Sequence, residues 1–481
     1  MSIPELERDR PAGTAAATAD PSPPARSLRP LILRLHFYAG ILVAPFLLVA
    51  TISGGLYAIA PALEQVVYRQ YLHTDATGPA VPVAEQVAAA RAVLPDLPVT
   101  AVRPASAPGE TTRVLFTDPT LGESERRAVF VDPTDASPRG DLVVYGSSSA
   151  LPMRTWISQL HRHLHLGDPG RLYSELAASW LWVVALGGVY LWVQRYRTAR
   201  RRNPDTARLL TVDRASRGRN RTLGWHGAAG MWIAVGLIFL SATGLTWSKY
   251  AGENVAALRT ALSWTTPALD KTLDGASGPA GGHDGHDGHT PSVPDPGILD
   301  RNVARLDTVL AVAADNGVTA HVEVGIPAGD RTAFTVTETR QPWQFTTDAV
   351  AVDGTTGTVT DVNRFADWPL AAKLTWLSIT LHMGLLFGVF NQLALLALAI
   401  VLVTVIVRGY LLWWKRRPTR GTRGVGRPPV RGTWRRIHPV AVVAVAATAV
   451  AVGWFVPLLG LSLLGFLLVD AAVAGAQRLR A

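Results

Sequence analysis

Six long apolar stretches divide the chain, at residues 35–60, 176–193, 225–247, 374–407, 439–456 and 458–474. About 20 apolar residues cross the hydrocarbon core of a bilayer, and none of these stretches carries a charge in its central part. Asp470, near the end of the last, is the one carboxylate within their limits. The pattern predicts an integral membrane α-helical bundle of about six transmembrane helices. Two polar regions lie between the spans, and their pattern is of another kind. In the first, residues 83–94 have helical character and stop at Pro95, and short β-like runs follow at 99–102, 113–117 and 128–131. In the second, a helix at 298–314 precedes runs at 319–324, 333–337 and 349–352, the last closed by the turn Asp353-Gly-Thr-Thr-Gly357. A helix followed by strands reads as a small α+β module.

The order span, module, span, basic loop occurs twice and a hairpin of two spans closes the chain. The predicted organisation is a disordered tail (1–30), a first span (31–62), a first module (63–158), a second span with a histidine motif (159–194) and a basic loop (195–222). A third span (223–249), a second module (250–372), a fourth span (373–414), a second basic loop (415–437) and the hairpin (438–478) follow. Such a parallel duplication relates its halves by a pseudo-two-fold axis along the membrane normal. Motif echoes support it: Leu160-His161 through Gly167 parallels Leu381-His382 through Gly388, and Leu35-His36 through Gly40 parallels Trp225-His226 through Gly230.

Charge sets the orientation. The segment 195–221 is dense in arginine against Asp205 and Asp213 only, and 408–436 is similarly basic. Positive loops stay cytoplasmic, so both termini are expected inside and both modules outside, in a bacterial plasma membrane. The net charge of +10 is largely this effect, which leaves nucleic acid out as a partner. No cleavable signal peptide is evident, so the first span acts as an uncleaved anchor. The chain has no cysteine, which excludes disulfides, Cys-ligated Fe–S clusters and thioether-attached haem.

Four runs carry a family resemblance: LHRHLHLGDPGR at 160–171, LHMGLLFG at 381–388, VFVDPTDASPRGD at 129–141 and AVAVDGTTGTV at 349–359. In these runs, and in their order and duplication over residues 34–415, the chain resembles the PepSY-associated transmembrane family. This family comprises iron-regulated bacterial membrane proteins that include ferric-siderophore reductases. The resemblance implies b-type haem in the membrane, PepSY-like extracytoplasmic modules and a role in iron acquisition. The chain departs from the pattern at Thr134-Asp135-Ala136, where the turn glycine is missing, and in a His-rich insert near residue 285.

Histidine in a membrane segment is costly and points to function, although a single one often only hydrogen-bonds a neighbouring helix. Four at duplicated places can supply both axial positions of two haem irons. Sidedness pairs His36 with His226 at the inner end and His161 with His382 at the outer end, giving two b haems per chain. Gly40 and Gly230, one turn from their histidines, either admit a porphyrin or serve close helix packing. If its stretch is helical, His165 shares a face with His161 and could replace it as ligand, although its counterpart in the second half is Leu386. Helix tilt decides whether ligands at opposite faces leave the irons close enough for quick electron transfer. His283, His286 and His289 recur every three residues in a Gly-rich tract. They either bind divalent metal loosely or belong to a plain linker. His73, His321 and His438 have no matched partner and are read as surface or interface residues.

No Walker loop, dinucleotide fingerprint or HExxH occurs, so reducing equivalents are expected from quinol or a partner protein. The leading expectation is a membrane-bound reductase of a ferric siderophore or other ferric chelate. A non-enzymatic PepSY-type regulator of a protease or peptide, and an accessory protein of metal transport, stand as alternatives.

Overall fold

A computed structural model describes residues 28–273, 296–319, 321–415 and 439–479. The first apolar stretch forms two helices, α1 (Arg29–Leu42) and α2 (Ala44–Val67), broken at Val43. Pro45 stands at the start of α2, where its missing N–H costs nothing but continuation of the preceding helix is disfavoured. A short α3 (Arg69–Leu72) leads to α4 (Val83–Val93) and strands β1 (Val99–Arg103), β2 (Thr112–Phe116), β3 (Glu125–Val131) and β4 (Pro138–Tyr145). Then come α5 (Pro152–His163) and the long α6 (Asp168–Arg202). The second half repeats the series. It runs α7 (Gly218–Leu245), α8 (Tyr250–Ala261), α9 (Pro296–Ala304), α10 (Leu306–Asp315) and β5 (Val322–Gly325), β6 (Phe334–Glu338), β7 (Ala349–Val352) and β8 (Val359–Asn363). It closes with α11 (Leu370–His382) and α12 (Val389–Trp414), after which α13 (Pro439–Phe455) and α14 (Pro457–Leu479) form the hairpin.

Among the described residues, five helices are long and apolar enough to cross a membrane: α2, α6, α7, α12 and α14. A further apolar helix, α13, covers 17 described residues from Pro439, where the described chain resumes. The second and fourth spans differ from the sequence expectation, because neither is continuous with its histidine motif. A break at residues 164–167 separates α5 from α6, and a matching break at 383–388 separates α11 from α12. Gly167 (φ 62°, ψ −135°) and Gly388 (φ 55°, ψ −134°) stand immediately before the spanning helices. Only glycine takes that backbone conformation readily, which explains the shared last residue of the two motifs.

In the bundle α6 packs along α7 and, in the symmetry-related position, α12 packs along α2. Their interior is apolar, built from Leu47, Trp180, Ile233, Leu237, Leu402 and Ile406 among others. An ion pair between Arg34 and Asp470 ties α14 to α1, which gives the intramembrane carboxylate a partner. A second pair, Arg154 with Glu64 at 3.1 Å, is buried on both sides, and Glu64 also accepts the Leu151 N–H at 2.6 Å. These bonds clamp the start of α5 to the end of α2 and so fix where His161 enters the bundle.

The two modules, expected as separate units of three strands, form one antiparallel sheet of eight in the order β4-β3-β2-β1-β5-β6-β7-β8. The halves meet edge to edge, with Ala101 opposite Gly325 and Val102 opposite Val324. Joining the modules in this way removes two exposed edges that would invite aggregation. One face is covered by α4, α9 and α10 over Val102, Val114, Phe116, Val324, Val336 and Val350. The other face looks toward α2, α3 and α5. The missing turn glycine is accommodated by Ala136, which takes a left-handed φ of 57° where the second half has Gly357 at 70°. The sheet lies at one end of the bundle, and the arginine-rich end of α6 at the other.

Candidate cofactor site

Each of the four matched histidines reaches a helix of its own half and is anchored there through Nδ1. His36 on α1 places Nδ1 3.0 Å from the carbonyl oxygen of Val184 on α6, and His226 on α7 does the same with Val405 on α12, also at 3.0 Å. A carbonyl oxygen only accepts, so Nδ1 carries the proton and the neutral ring keeps its lone pair on Nε2. His161 places Nδ1 3.0 Å from Ser53 Oγ, and His382 places it 2.5 Å from Thr243 Oγ1. Both hydroxyls give their own proton to helix carbonyls, Ser53 to Val49 and Thr243 to Phe239, each at 2.8 Å. They are therefore acceptors toward the rings, and the same tautomer follows. Metal-ligating histidines are commonly held in this way, with Nδ1–H fixed on a carbonyl or hydroxyl while Nε2 stays available.

Glycine lines each ring. A Cβ at Gly188 would meet His36 at 3.0 Å, and one at Gly54 would meet His161 at 3.0 Å. Gly409 and Gly244 hold the matching places beside His226 and His382, at 3.6 and 3.9 Å. The spacing is regular: Ser53 and Thr243 each follow their half's first histidine by 17 residues, while Val184 and Val405 follow the second by 23. That repeat was readable in the sequence, yet it gains meaning only once the side chains are seen to meet.

The pairing across halves is direct for His36 and His226, whose ring centroids stand 6.3 Å apart at an interplanar angle of 76°. Rings this close, each with Nε2 free, could share one metal ion between them. Gly40 and Gly230, one turn further along, face open space: a Cβ at either would meet nothing within 4 Å. A side chain at either position would not be crowded by a neighbouring helix. His382 lies within electrostatic reach of His161, and Trp247 meets its ring edge-on at 5.6 Å. The residues present fit a group held by paired imidazoles. Among the described residues no cluster of three or more His, Asp or Glu gathers.

His165 does not join this arrangement. Helix α5 ends at His163, and Leu164 and His165 both take left-handed backbone conformations, at φ 55° and 54°. The helical face assumed for His161 and His165 is thus interrupted. His165 is exposed and lies against Trp156, with centroids 4.9 Å apart. His73 bonds Gln65 outside the bundle, and His321 sits at the start of β5. His283, His286, His289 and His438 lie outside the described residues.

This geometry and the duplicated bundle define a helical membrane protein with matched intramembrane histidine pairs. Residues 33–416 match the family described as the PepSY-associated TM region, and the chain belongs to that family. No curated protein matches it.

Proposed function

We propose that this protein is a haem b-containing electron-transfer protein of the bacterial plasma membrane that reduces a ferric siderophore or related ferric chelate on the sheet side. The observation that carries the reading is the four-fold repetition of one device, a histidine anchored at Nδ1 beside a glycine, together with the direct approach of the His36 and His226 rings across the halves. His36 and His226 would hold one haem, with Gly40 and Gly230 leaving space for it, and His161 and His382 a second. When bound, haem supplies one-electron redox chemistry at a depth where no side chain of this cysteine-free chain can.

The protein's own part is to orient and insulate. Val184, Val405, Ser53 and Thr243 hold the rings in one tautomer, and the apolar bundle keeps water from the sites. On the continuous helix α7, His226 and Thr243 lie 17 residues apart, about 26 Å of rise, so the two levels together span most of a bilayer. Arginine at the end of α6 favours a cytoplasmic location for that end and the termini, with the sheet outside. Electrons would enter from quinol or a protein donor. Reduction of Fe(III) to Fe(II) weakens its hold on hard oxygen ligands and frees the metal from the chelate.

The test is reduction in proteoliposomes containing dithionite-reduced protein, with a ferric chelate and an impermeant Fe(II) indicator outside. Indicator colour should form in proportion to protein reoxidised. Oxidised protein that forms without any Fe(II) would exclude the chelate as acceptor.

A further inference from the structure

The bundle-facing side of the sheet carries arginines that the histidine pairs do not use. Arg103 on β1 and Arg113 on β2 are direct cross-strand partners, so two like charges leave the same face at neighbouring positions. Such opposition is destabilising in a sheet. Arg103 is compensated: its Nε donates to Glu323 at 2.6 Å, and Arg126 shares that carboxylate at 2.9 Å. Arg113 is not. Its guanidinium lies over the Phe130 ring at 5.6 Å, and among the described residues no carboxylate stands at ion-pair distance from it.

Arg340 reaches the same place from the connection after β6. It lies over the Trp376 ring of α11 at 5.7 Å and donates to Ser147 Oγ at 2.8 Å, while the Ser147 carbonyl accepts from Arg103 at 2.7 Å. Arg340 also has no carboxylate partner among the described residues, and its buried Nε has no acceptor. Tyr57 is within electrostatic reach of Arg340, Arg154 and Glu64. It lies one helical turn from Ser53 toward the sheet, so the cluster stands next to the His161 anchor.

The ordinary explanation of a half-buried arginine is that its stem covers apolar surface while its head finds a carboxylate or water. It accounts for Arg103 and Arg126 on Glu323, and for Arg154 on Glu64. It does not account for Arg113 and Arg340. Burial, then the neighbouring Arg103, push the Arg113 guanidinium down to about 10, against the weaker opposing influence of Glu64 and Glu110, neither of which reaches ion-pair distance. Guanidinium groups suit planar carboxylates, which they bind two-pronged.

We propose that Arg113 and Arg340, backed by Arg103, form a carboxylate-binding site between the sheet and the His161 end of the bundle. Its location relative to electron transfer rests on the function proposed above; the anion chemistry does not. The carboxylates have two possible sources, the propionates of a haem on His161 and His382 or an acid-bearing ferric chelate arriving from the sheet side.

The experiment titrates the purified full-length protein with citrate, ferric citrate and inorganic phosphate, and quantifies haem in the same preparations. It compares wild type with Arg113→Gln, Arg340→Gln and the corresponding Lys variants. Each Gln variant should lose about tenfold or more in carboxylate binding, with the Lys variants between it and wild type. If the Gln variants do not fold, the Lys variants decide. Weakened citrate binding with unchanged haem assigns the site to the free chelate. Haem loss in the variants, with no citrate binding to wild type, assigns it to propionates. Arginine-dependent citrate binding by a protein that carries no haem keeps this site and sinks the haem reading instead. Citrate binding and haem content both at wild-type level in the variants would overturn the proposal, as would phosphate binding as tight as citrate.

Discussion

His36 and His226, 190 residues apart in sequence, bring their rings to a centroid separation of 6.3 Å, and both are tied at Nδ1 to carbonyls of the partner helices of their own halves. If the two rings hold one haem as proposed, replacing either with alanine should cost the same centre, because each change would leave one iron with a single protein ligand. His36→Ala and His226→Ala should therefore give similar reduced-minus-oxidised spectra, distinct from the shared spectrum of His161→Ala and His382→Ala. Full haem retention in all four variants would defeat the assignment.

The hydroxyl anchors make a separate prediction. In Ser53→Ala and Thr243→Val the rings of His161 and His382 lose the acceptor that fixes their tautomer. Losing the partner that orients a ligating ring costs about 10–100-fold in affinity. Haem titration should show that weakening at one centre only, leaving the His36/His226 centre at wild-type affinity. Equal effects at both centres would point to general unfolding.

The open space beside Gly230 can be filled. A helix-interior Gly→Leu change gains up to about 1 kcal/mol in propensity, and its Cβ meets nothing within 4 Å. Gly230→Leu should accordingly fold with undiminished thermal stability while losing the haem held by His36 and His226. If that variant keeps both haems at full occupancy, the space is not where the cofactor lies.

These relationships were unequally visible in the sequence. The histidine pairs could be read because the duplication repeats them in apolar surroundings where each residue type is conspicuous. Ser53 and Thr243 sit inside runs that marked the ends of spans, but small hydroxyl residues are common in membrane helices and nothing local marks them as anchors. Val184 and Val405 act through backbone carbonyls, for which any residue would serve. Strands β4 and β8 escaped because Pro138-Arg-Gly-Asp and Val359-Thr-Asp-Val lack the clear apolar alternation of half-buried strands. The β1–β5 junction is a pairing between chain segments more than 200 residues apart, set by tertiary contact rather than local pattern. The break before Gly167 was hidden because apolar character continues through Leu164 and Leu166.

The same junction should respond to acid. Burial raises the Glu323 carboxyl, but Arg103 and then Arg126 more than reverse this and hold it at about 2, below the usual 4.5. A lowered folded value means stability that is present above about pH 4.5 and lost as the pH falls toward 2. The shift corresponds to roughly 3 kcal/mol. Hydrogen exchange at β1 and β5 should accelerate over that window in wild type, and the step should vanish in Glu323→Gln. An unchanged step in the variant would assign the acid response to other groups.

The most direct test of the central claim is the haem content of the purified protein, measured by pyridine haemochrome with oxidised and dithionite-reduced absorption spectra. Two non-covalent b haems per chain are expected, removable by acid solvent, with the sharp reduced bands of iron held by two imidazoles. Protein prepared with adequate iron and haem supply that still shows no Soret band would contradict that claim.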